Sequence, residues 1–105
     1  MKVRNWYGNI YYYNDLDEIH RDDDLPAIET KDGGKYWVVN GRYYRVGNPA
    51  VELSSGTKYW YFNNLLHRND GPAIEYVNGE KQYWLFNVQY TEKEYLQQIK
   101  LKGFW

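Results

Sequence analysis

"LLHRNDGPAIEYVNGEKQYW", Leu65 to Trp84, runs through a His-Arg pair, an Asp-Gly bend, a proline, a glutamate, an Asn-Gly turn and two adjacent aromatics. The order recurs along the chain. "PAIE" at Pro26 to Glu29 returns as "PAVE" at Pro49 to Glu52 and as "PAIE" at Pro72 to Glu75, so all three prolines are 23 residues apart. Gly33, Gly56 and Gly79 keep that spacing, as do Lys35, Lys58 and Lys81. The pairs Tyr36-Trp37 and Tyr59-Trp60 continue it, and Tyr83-Trp84 follows one residue late, with Gln82 as the apparent extra residue. A fixed period of this length is the signature of a repeat architecture. "YYYN" at Tyr11 to Asn14 matches "WYFN" at Trp60 to Asn63, which brings the count to about three and a half copies.

Asp32-Gly33, Ser55-Gly56 and Asn78-Gly79 separate alternating residues, which predicts two-residue hairpin turns. Asn40-Gly41 and Asn63-Asn64 mark a second hairpin turn. Each copy is then two short antiparallel strands, and the copies join into one meander: a mainly β fold, a single curved or twisted sheet of hairpin repeats. With Ser55-Gly56 at the tip, Glu52 faces Tyr59 and Val51 faces Trp60, and Glu29 and Ile28 face Tyr36 and Trp37. One face then collects Trp37, Trp60, Phe62, Trp84 and Phe86 with Ile28, Val51 and Ile74. The other collects Tyr36, Tyr59, Tyr61, Tyr83 and Leu85 with Glu29, Glu52 and Glu75. This holds in the third copy only if Gln82 is a β-bulge. After Tyr90 the pattern changes: Thr91 with Glu94 forms a capping-box signature, and Tyr95, Leu96 and Ile99 share one side, so residues 91–102 are expected to form a C-terminal helix that caps the array. The expected organisation is one domain over 1–105, with hairpin repeats over 11–90.

The 105 residues suffice for one domain with its own core. Thirteen Lys and Arg against 14 Asp and Glu give a net charge of -1, too balanced to mark a nucleic-acid surface. Cysteine is absent, which rules out disulfides and thiolate metal sites. No stretch approaches the roughly 20 apolar residues that cross a bilayer, and a cytoplasmic location is expected. The unusual feature is aromatic content, 13 Tyr, 5 Trp and 3 Phe.

A 23-residue hairpin repeat with a turn glycine and paired aromatics resembles the MORN (membrane occupation and recognition nexus) repeats. "YFNNLLHRNDGPAIEYVNGEKQYW" is similar to the MORN-like "WYxNGxxHRxDGPAxxxxxG" repeats of phage and giant-virus hypothetical proteins, which often end in a helix like Thr91 to Lys100. The likeness covers about residues 11 to 100. The first copy departs from it in Asp22-Asp23-Asp24, and the second in "YYRVGNPA". The resemblance implies a scaffold for binding proteins or lipids and for self-association, without enzymatic activity, and a viral origin.

His20-Arg21 and His67-Arg68 are the pairs most suggestive of chemistry. The two histidines are about 19 Å apart at roughly 4.8 Å per strand, too far to share a metal. His67 is expected to pack on the preceding strand and bond the Asp-Gly bend, with Arg68 reaching Asp70 or solvent. Asp22, Asp23 and Asp24 lack the turn glycine and ligand number of a hard-cation site and read as a solvated loop. Glu29, Glu52 and Glu75 repeat at about 10 Å, wide for a carboxylate pair of a glycosidase. No nucleophile with a base, phosphate loop or dinucleotide fingerprint is present, so neither an enzyme nor a cofactor is expected.

The expected partner surface is an aromatic ladder of Tyr36, Tyr59, Tyr61 and Tyr83 with Glu52 and Glu75. A nucleotide-like small molecule would instead meet Lys35, Lys58, His67 or Arg68. The apolar face of Trp37, Trp60, Phe62 and Trp84, joined by the terminal Phe104 and Trp105, spans about 550 Å2 by strand dimensions, of which a ten-residue helix covers about a quarter. That area suggests self-association as a homodimer. The functional expectation is a non-enzymatic phage-type factor that binds or sequesters a host protein; the alternatives are a nucleotide sponge with a dimer cleft and a lipid-surface module.

Overall fold

A computed structural model describes residues 1–103. Phe104 and Trp105, two of the residues expected to self-associate, lie outside the described residues. The chain forms β1 (Lys2–Trp6), β2 (Asn9–Tyr13), β3 (Ile28–Glu29), β4 (Lys35–Tyr36), β5 (Val38–Val39), β6 (Arg42–Tyr43) and β7 (Val51–Glu52). There follow β8 (Lys58–Tyr59), β9 (Tyr61–Phe62), β10 (Leu65–Leu66), β11 (Ile74–Glu75), β12 (Lys81–Leu85), β13 (Val88–Tyr90) and α1 (Glu92–Leu101). The main antiparallel sheet has the order β1-β2-β3-β4-β7-β8-β11-β12-β13, and β5-β6 and β9-β10 are two-stranded ribbons. The fold is therefore mainly β, a meander of antiparallel hairpins with one short C-terminal helix. Its extents of 44 × 30 × 19 Å and radius of gyration of 15.0 Å, against about 13 Å for a compact chain of this length, reflect the stacking of copies along one axis.

Two rows of turns hold the stack. In one, Asn40-Gly41 (φ 50, 77), Asn63-Asn64 (φ 47, 67) and Phe86-Asn87 (φ 46, 70) have two positive φ values each, the two-residue hairpin turn expected for the first two. In the other row the turn is one residue longer than expected. Leu53 donates its N–H to the Thr57 carbonyl and accepts from Gly56 N–H, both at 2.9 Å, so the loop is Ser54-Ser55-Gly56, with positive φ at the glycine alone. Thr30 with Gly33 and Gly34, and Tyr76 with Gly79 and Glu80, repeat the arrangement.

That single residue overturns the expected register. Val51 lies opposite Tyr59 and Glu52 opposite Lys58, while Ile28 and Glu29 lie opposite Tyr36 and Lys35. A one-residue slip exchanges the faces of a strand. Ile28, Val51 and Ile74 accordingly share a face with Tyr36, Tyr59 and Tyr61, and Glu29, Glu52 and Glu75 share the opposite face with Trp37, Trp60 and Phe62. The expected bulge at Gln82 is absent as well. Ile74 pairs with Gln82 as Val51 pairs with Tyr59, and β12 passes straight into its pairing with β13. Gln82 therefore occupies the place of Tyr59. Tyr83 and Leu85 turn to the glutamate face, and Trp84 turns to the tyrosine face.

The offset in the third copy serves the cap. Thr91 stands where a fourth repeat would place an arginine, 23 residues after Arg68, and instead starts α1 through a complete capping box with Glu94. Leu85, Tyr95 and Ile99 bury one another, with Tyr83 and Tyr90 packed alongside. The Tyr95 hydroxyl donates to the Arg68 carbonyl and accepts from Gly71 N–H, tying the helix to the last repeat loop.

Candidate binding face

The glutamate face is built from a cluster that occurs three times. Arg21, Arg45 and Arg68 lay their guanidinium groups over the rings of Tyr12, Trp37 and Trp60 at 3.8, 3.7 and 3.9 Å. Each donates to a repeat proline carbonyl, Pro26, Pro49 or Pro72, at 3.1 to 3.2 Å. Each also pairs with a repeat glutamate, Glu29 at 2.9 Å, Glu52 at 3.4 Å and Glu75 at 2.9 Å. Ala27, Ala50 and Ala73 are completely buried, and as neighbours of Ile28, Val51 and Ile74 they lie on this face, where only a small side chain fits. The two irregular loops compensate for each other: Arg68 pairs with Asp70 of its own loop, whereas the second loop offers no acid, and Asp24 of the lengthened first loop reaches Arg45 at 2.8 Å.

Arg68, Glu52 and Glu75 are therefore parts of this intramolecular framework, on the face opposite the tyrosines. Lys35 lies across from Glu29 and Glu52, and Lys58 across from Glu52 and Glu75, so the two lysines expected to read phosphate sit in a row of alternating charge. His67 is likewise occupied, though not by the Asp-Gly bend. Its Nδ1 accepts the Phe86 N–H at 3.1 Å, and its ring stacks on Phe86 at 4.0 Å. His20 Nδ1 accepts the Asn40 N–H in the same way, at 2.9 Å, and its Nε2 meets Asp22. An Nδ1 that accepts a bond carries no proton, so both imidazoles are held as the Nε2–H tautomer. Burial, with the nearby Lys102 ammonium as a lesser cause, lowers the His67 pKa below its usual value.

The expected self-association face dissolves with the register. Trp37 is buried and donates its indole N–H to the Asp24 carbonyl at 3.0 Å, Trp60 is roofed by Arg68, and Trp84 lies on the opposite side. Phe62 alone of the four keeps substantial exposure, at 41 %. Trp37, Trp60, Phe62 and Trp84 therefore do not share one exposed face.

The tyrosine ladder does form, with changed membership. Tyr36 and Tyr43 are 6.2 Å apart between ring centroids, Tyr43 and Tyr61 5.1 Å, and Tyr61 and Tyr59 6.4 Å. All four are half-buried, over a row containing the buried Val38, Val51 and Ile74. Tyr43 enters because Val38 pairs with it across the β5-β6 ribbon. Tyr83 does not belong: it sits on the other face, 4.9 Å from Tyr95, with its hydroxyl on Glu92 at 2.8 Å. Burial, the Glu92 bond and the Glu92 charge push its pKa up to about 12. Burial also raises the Tyr36 and Tyr61 phenols above their usual value. By the observed pairing, Tyr11 and Tyr13 extend this face toward β1. Its paired strand residues include no carboxylate, since the repeat glutamates project from the other side.

The sequence reasoning missed Tyr43 and the arginine clamp. The clamp left a signal: Arg45 and Arg68 each stand four residues before a repeat proline, and Arg21 stands five before one. A cleft of about 380 Å3 is lined by Asp22, Asp23 and Asp24 together with Arg21 and Arg45, the two arginines already paired with Glu29, Glu52 and Asp24. Among the described residues no group of His, Cys, Asp or Glu has the arrangement to hold a metal ion, and no helix is long and apolar enough to cross a membrane.

Fold and site together define a class, an antiparallel β-hairpin repeat protein with a helical cap, one charged clamp face and one tyrosine face. In comparison with known proteins, no family model matches the chain, and no curated protein or solved structure is significantly similar to it.

Proposed function

We propose that this chain is a non-enzymatic binding protein of the MORN-like repeat type that engages another protein through the tyrosine face. The resemblance to phage and giant-virus repeats makes that partner a host component. The observation that carries the reading is the ladder of Tyr36, Tyr43, Tyr61 and Tyr59, half-buried and without a carboxylate among the paired residues around it. Tyrosine offers large, rigid, amphipathic contact area at low entropic cost, and here the rings are held by one another and by the row beneath them. The chemistry-bearing residues favour no reaction: both histidines bond backbone amides, and each repeat glutamate has an arginine.

The test is capture from host lysate by immobilised wild-type protein and by a Tyr59→Ser/Tyr61→Ser variant, with thermal unfolding of both to confirm folding. A stoichiometric protein band retained by wild type and lost by the folded variant supports the reading. Equal capture by the two overturns the tyrosine face as the site. Heat release of a nucleotide without a protein band overturns protein binding itself.

A further inference from the structure

β1 is the outermost strand of the main sheet, and all five of its residues are exposed. It pairs with β2, setting Trp6 opposite Asn9, Arg4 opposite Tyr11 and Lys2 opposite Tyr13. Tyr7-Gly8 (φ 53, 85) closes this hairpin as a two-residue turn. Hydrogen-bonded pairs alternate outward from such a turn, so Trp6, Arg4 and Lys2 aim their main-chain groups at β2. Val3 and Asn5 aim theirs away from the sheet. The far side of the ladder agrees: Tyr12, opposite Val3, donates its N–H to the Ala27 carbonyl and accepts from His20 N–H, both at 2.9 Å. The edge thus offers the N–H and C=O groups of Val3 and Asn5 to an incoming strand.

The side chains beside this edge are selective. Arg4 and Trp6 stand on the tyrosine face and border a cleft of about 560 Å3 lined also by Tyr11, Tyr13 and Ile19. Trp6 is 65 % exposed. The Arg4 guanidinium lies 5.8 Å from the Tyr13 ring centroid, and among the described residues it joins no ion pair, unlike Arg21, Arg45 and Arg68. A second copy is a poor occupant. A fully overlapped antiparallel pairing of β1 with itself sets Arg4 against Arg4 at the non-hydrogen-bonded position, where backbones approach to about 4.5 Å and like charges oppose.

We propose that β1 accepts an extended acidic segment of a partner as an added antiparallel strand, with a carboxylate opposite Arg4 and, two positions earlier, an apolar side chain opposite Trp6 in the cleft. Main-chain bonds to Val3 and Asn5 provide the attachment, and the Arg4 and Trp6 positions provide the choice of sequence. This contact goes beyond the tyrosine ladder and does not depend on it.

The probe is the peptide acetyl-Thr-Phe-Thr-Glu-Thr-Val-Thr-amide, titrated into the whole protein while backbone amide shifts and exchange rates are followed. Saturable shifts and slowed exchange at Val3 and Asn5 are expected. Arg4→Glu should weaken binding at least tenfold and favour the peptide with Lys in place of Glu. Val3→Pro removes an outward donor without touching the β2 ladder, so it should abolish binding while leaving the unfolding temperature near that of wild type. Absence of saturation up to about 1 mM peptide, equal binding by folded Val3→Pro, or shifts confined to Tyr43, Tyr59 and Tyr61 would each overturn the proposal. Lysate capture by the Tyr59→Ser/Tyr61→Ser variant reads the ladder separately, so the two ideas fail separately.

Discussion

Replacing Arg68 by Met keeps most of the stem and deletes the fork. In the wild type that fork bonds Asp70 and Glu75 at 2.9 Å and the Pro72 carbonyl at 3.1 Å, over the Trp60 ring at 3.9 Å. A hydrogen bond involving a charged group contributes about 1.5–3 kcal/mol and a cation–π contact about 0.5–2 kcal/mol. The sum cannot be taken whole. The Asp70 side chain is 74 % exposed and that of Glu75 37 %, so both carboxylates regain water when the guanidinium leaves. The Asp70 pair then contributes little, as exposed ion pairs do. What remains is the Pro72 carbonyl bond, the Glu75 pair and the ring contact, for a net loss of roughly 2–3 kcal/mol. At about 4–8 °C per kcal/mol for a domain near this size, the unfolding temperature should fall by roughly 10–20 °C. Calorimetry or urea unfolding measures it. Arg68→Lys, which keeps charge without the planar fork, should fall between the two. A double-mutant cycle with Glu75→Gln should return a coupling of about 1 kcal/mol or more. A change of Arg68→Met within about 0.5 kcal/mol, the ordinary scatter of surface substitutions, would refute the clamp as a stabilising unit.

Four further outcomes follow from particular residues. Gly56→Ala at φ +102 should cost about 1–2 kcal/mol in urea unfolding, and Gly79→Ala at φ +93 about as much although nothing lies near its added methyl, because the cost is in the backbone. Tyr7→Asn should stabilise by about 0.5–1 kcal/mol, since Tyr7 is 83 % exposed at a positive φ that asparagine adopts more readily, a change read by the same assay. The folded-state pKa of His67 is depressed, so its contribution to stability is fully present above its unfolded value near 6.5 and is lost as pH falls through the lower folded value. His67→Gln, whose side-chain oxygen still accepts from Phe86 N–H, should flatten the stability profile in that window. For Tyr83 the sign is opposite: its raised pKa makes the contribution complete below about pH 10 and lost toward about pH 12, and Tyr83→Phe should remove that alkaline slope together with a tyrosinate absorbance step near pH 12.

Much of the architecture was legible because it rests on spacing. The 23-residue period, the turns at Asn40-Gly41 and Asn63-Asn64, and the capping box of Thr91 with Glu94 are local signals, and each appears in the fold. Register was not legible, for two physical reasons. Ser55-Gly56 serves equally as a two-residue turn or as the end of a three-residue loop, and the choice moves the partner of Tyr59 from Glu52 to Val51. The adjacent aromatics Tyr36-Trp37 and Tyr59-Trp60 then erase the alternation that would have decided it, since either face reads as apolar. Gln82 looked like an insertion because the aromatics after it are displaced. The intervals Gly33 to Gly41, Gly56 to Asn64 and Gly79 to Asn87 are equal, which argues for substitution in place. The candidate site suffered accordingly: Tyr36, Tyr59 and Tyr61 survive in the ladder, while Glu52 and Glu75 were assigned to it by the one-residue slip in the turn and Tyr83 by the bulge expected at Gln82.

The corrected register also explains how one sheet, with a helix only at its end, holds a core. An arginine stem covers apolar surface while its head stays polar. Here the heads are fixed by proline carbonyls and glutamates, so Arg21, Arg45 and Arg68 roof the aromatics on their own face, where Ala27, Ala50 and Ala73 are fully buried. The repeated residues of "PA(I/V)E" and the arginine before each proline therefore define the array itself. On the other face Val51 and Ile74 are closed over mainly by tyrosines, whose hydroxyl edges are not needed for that closure. A surface of this kind can change its edge chemistry from copy to copy without disturbing the clamp, as Gln82 in the place of Tyr59 already shows. The stabilising face and the variable face are thus separate, and in this chain one residue in the turn places them on opposite sides.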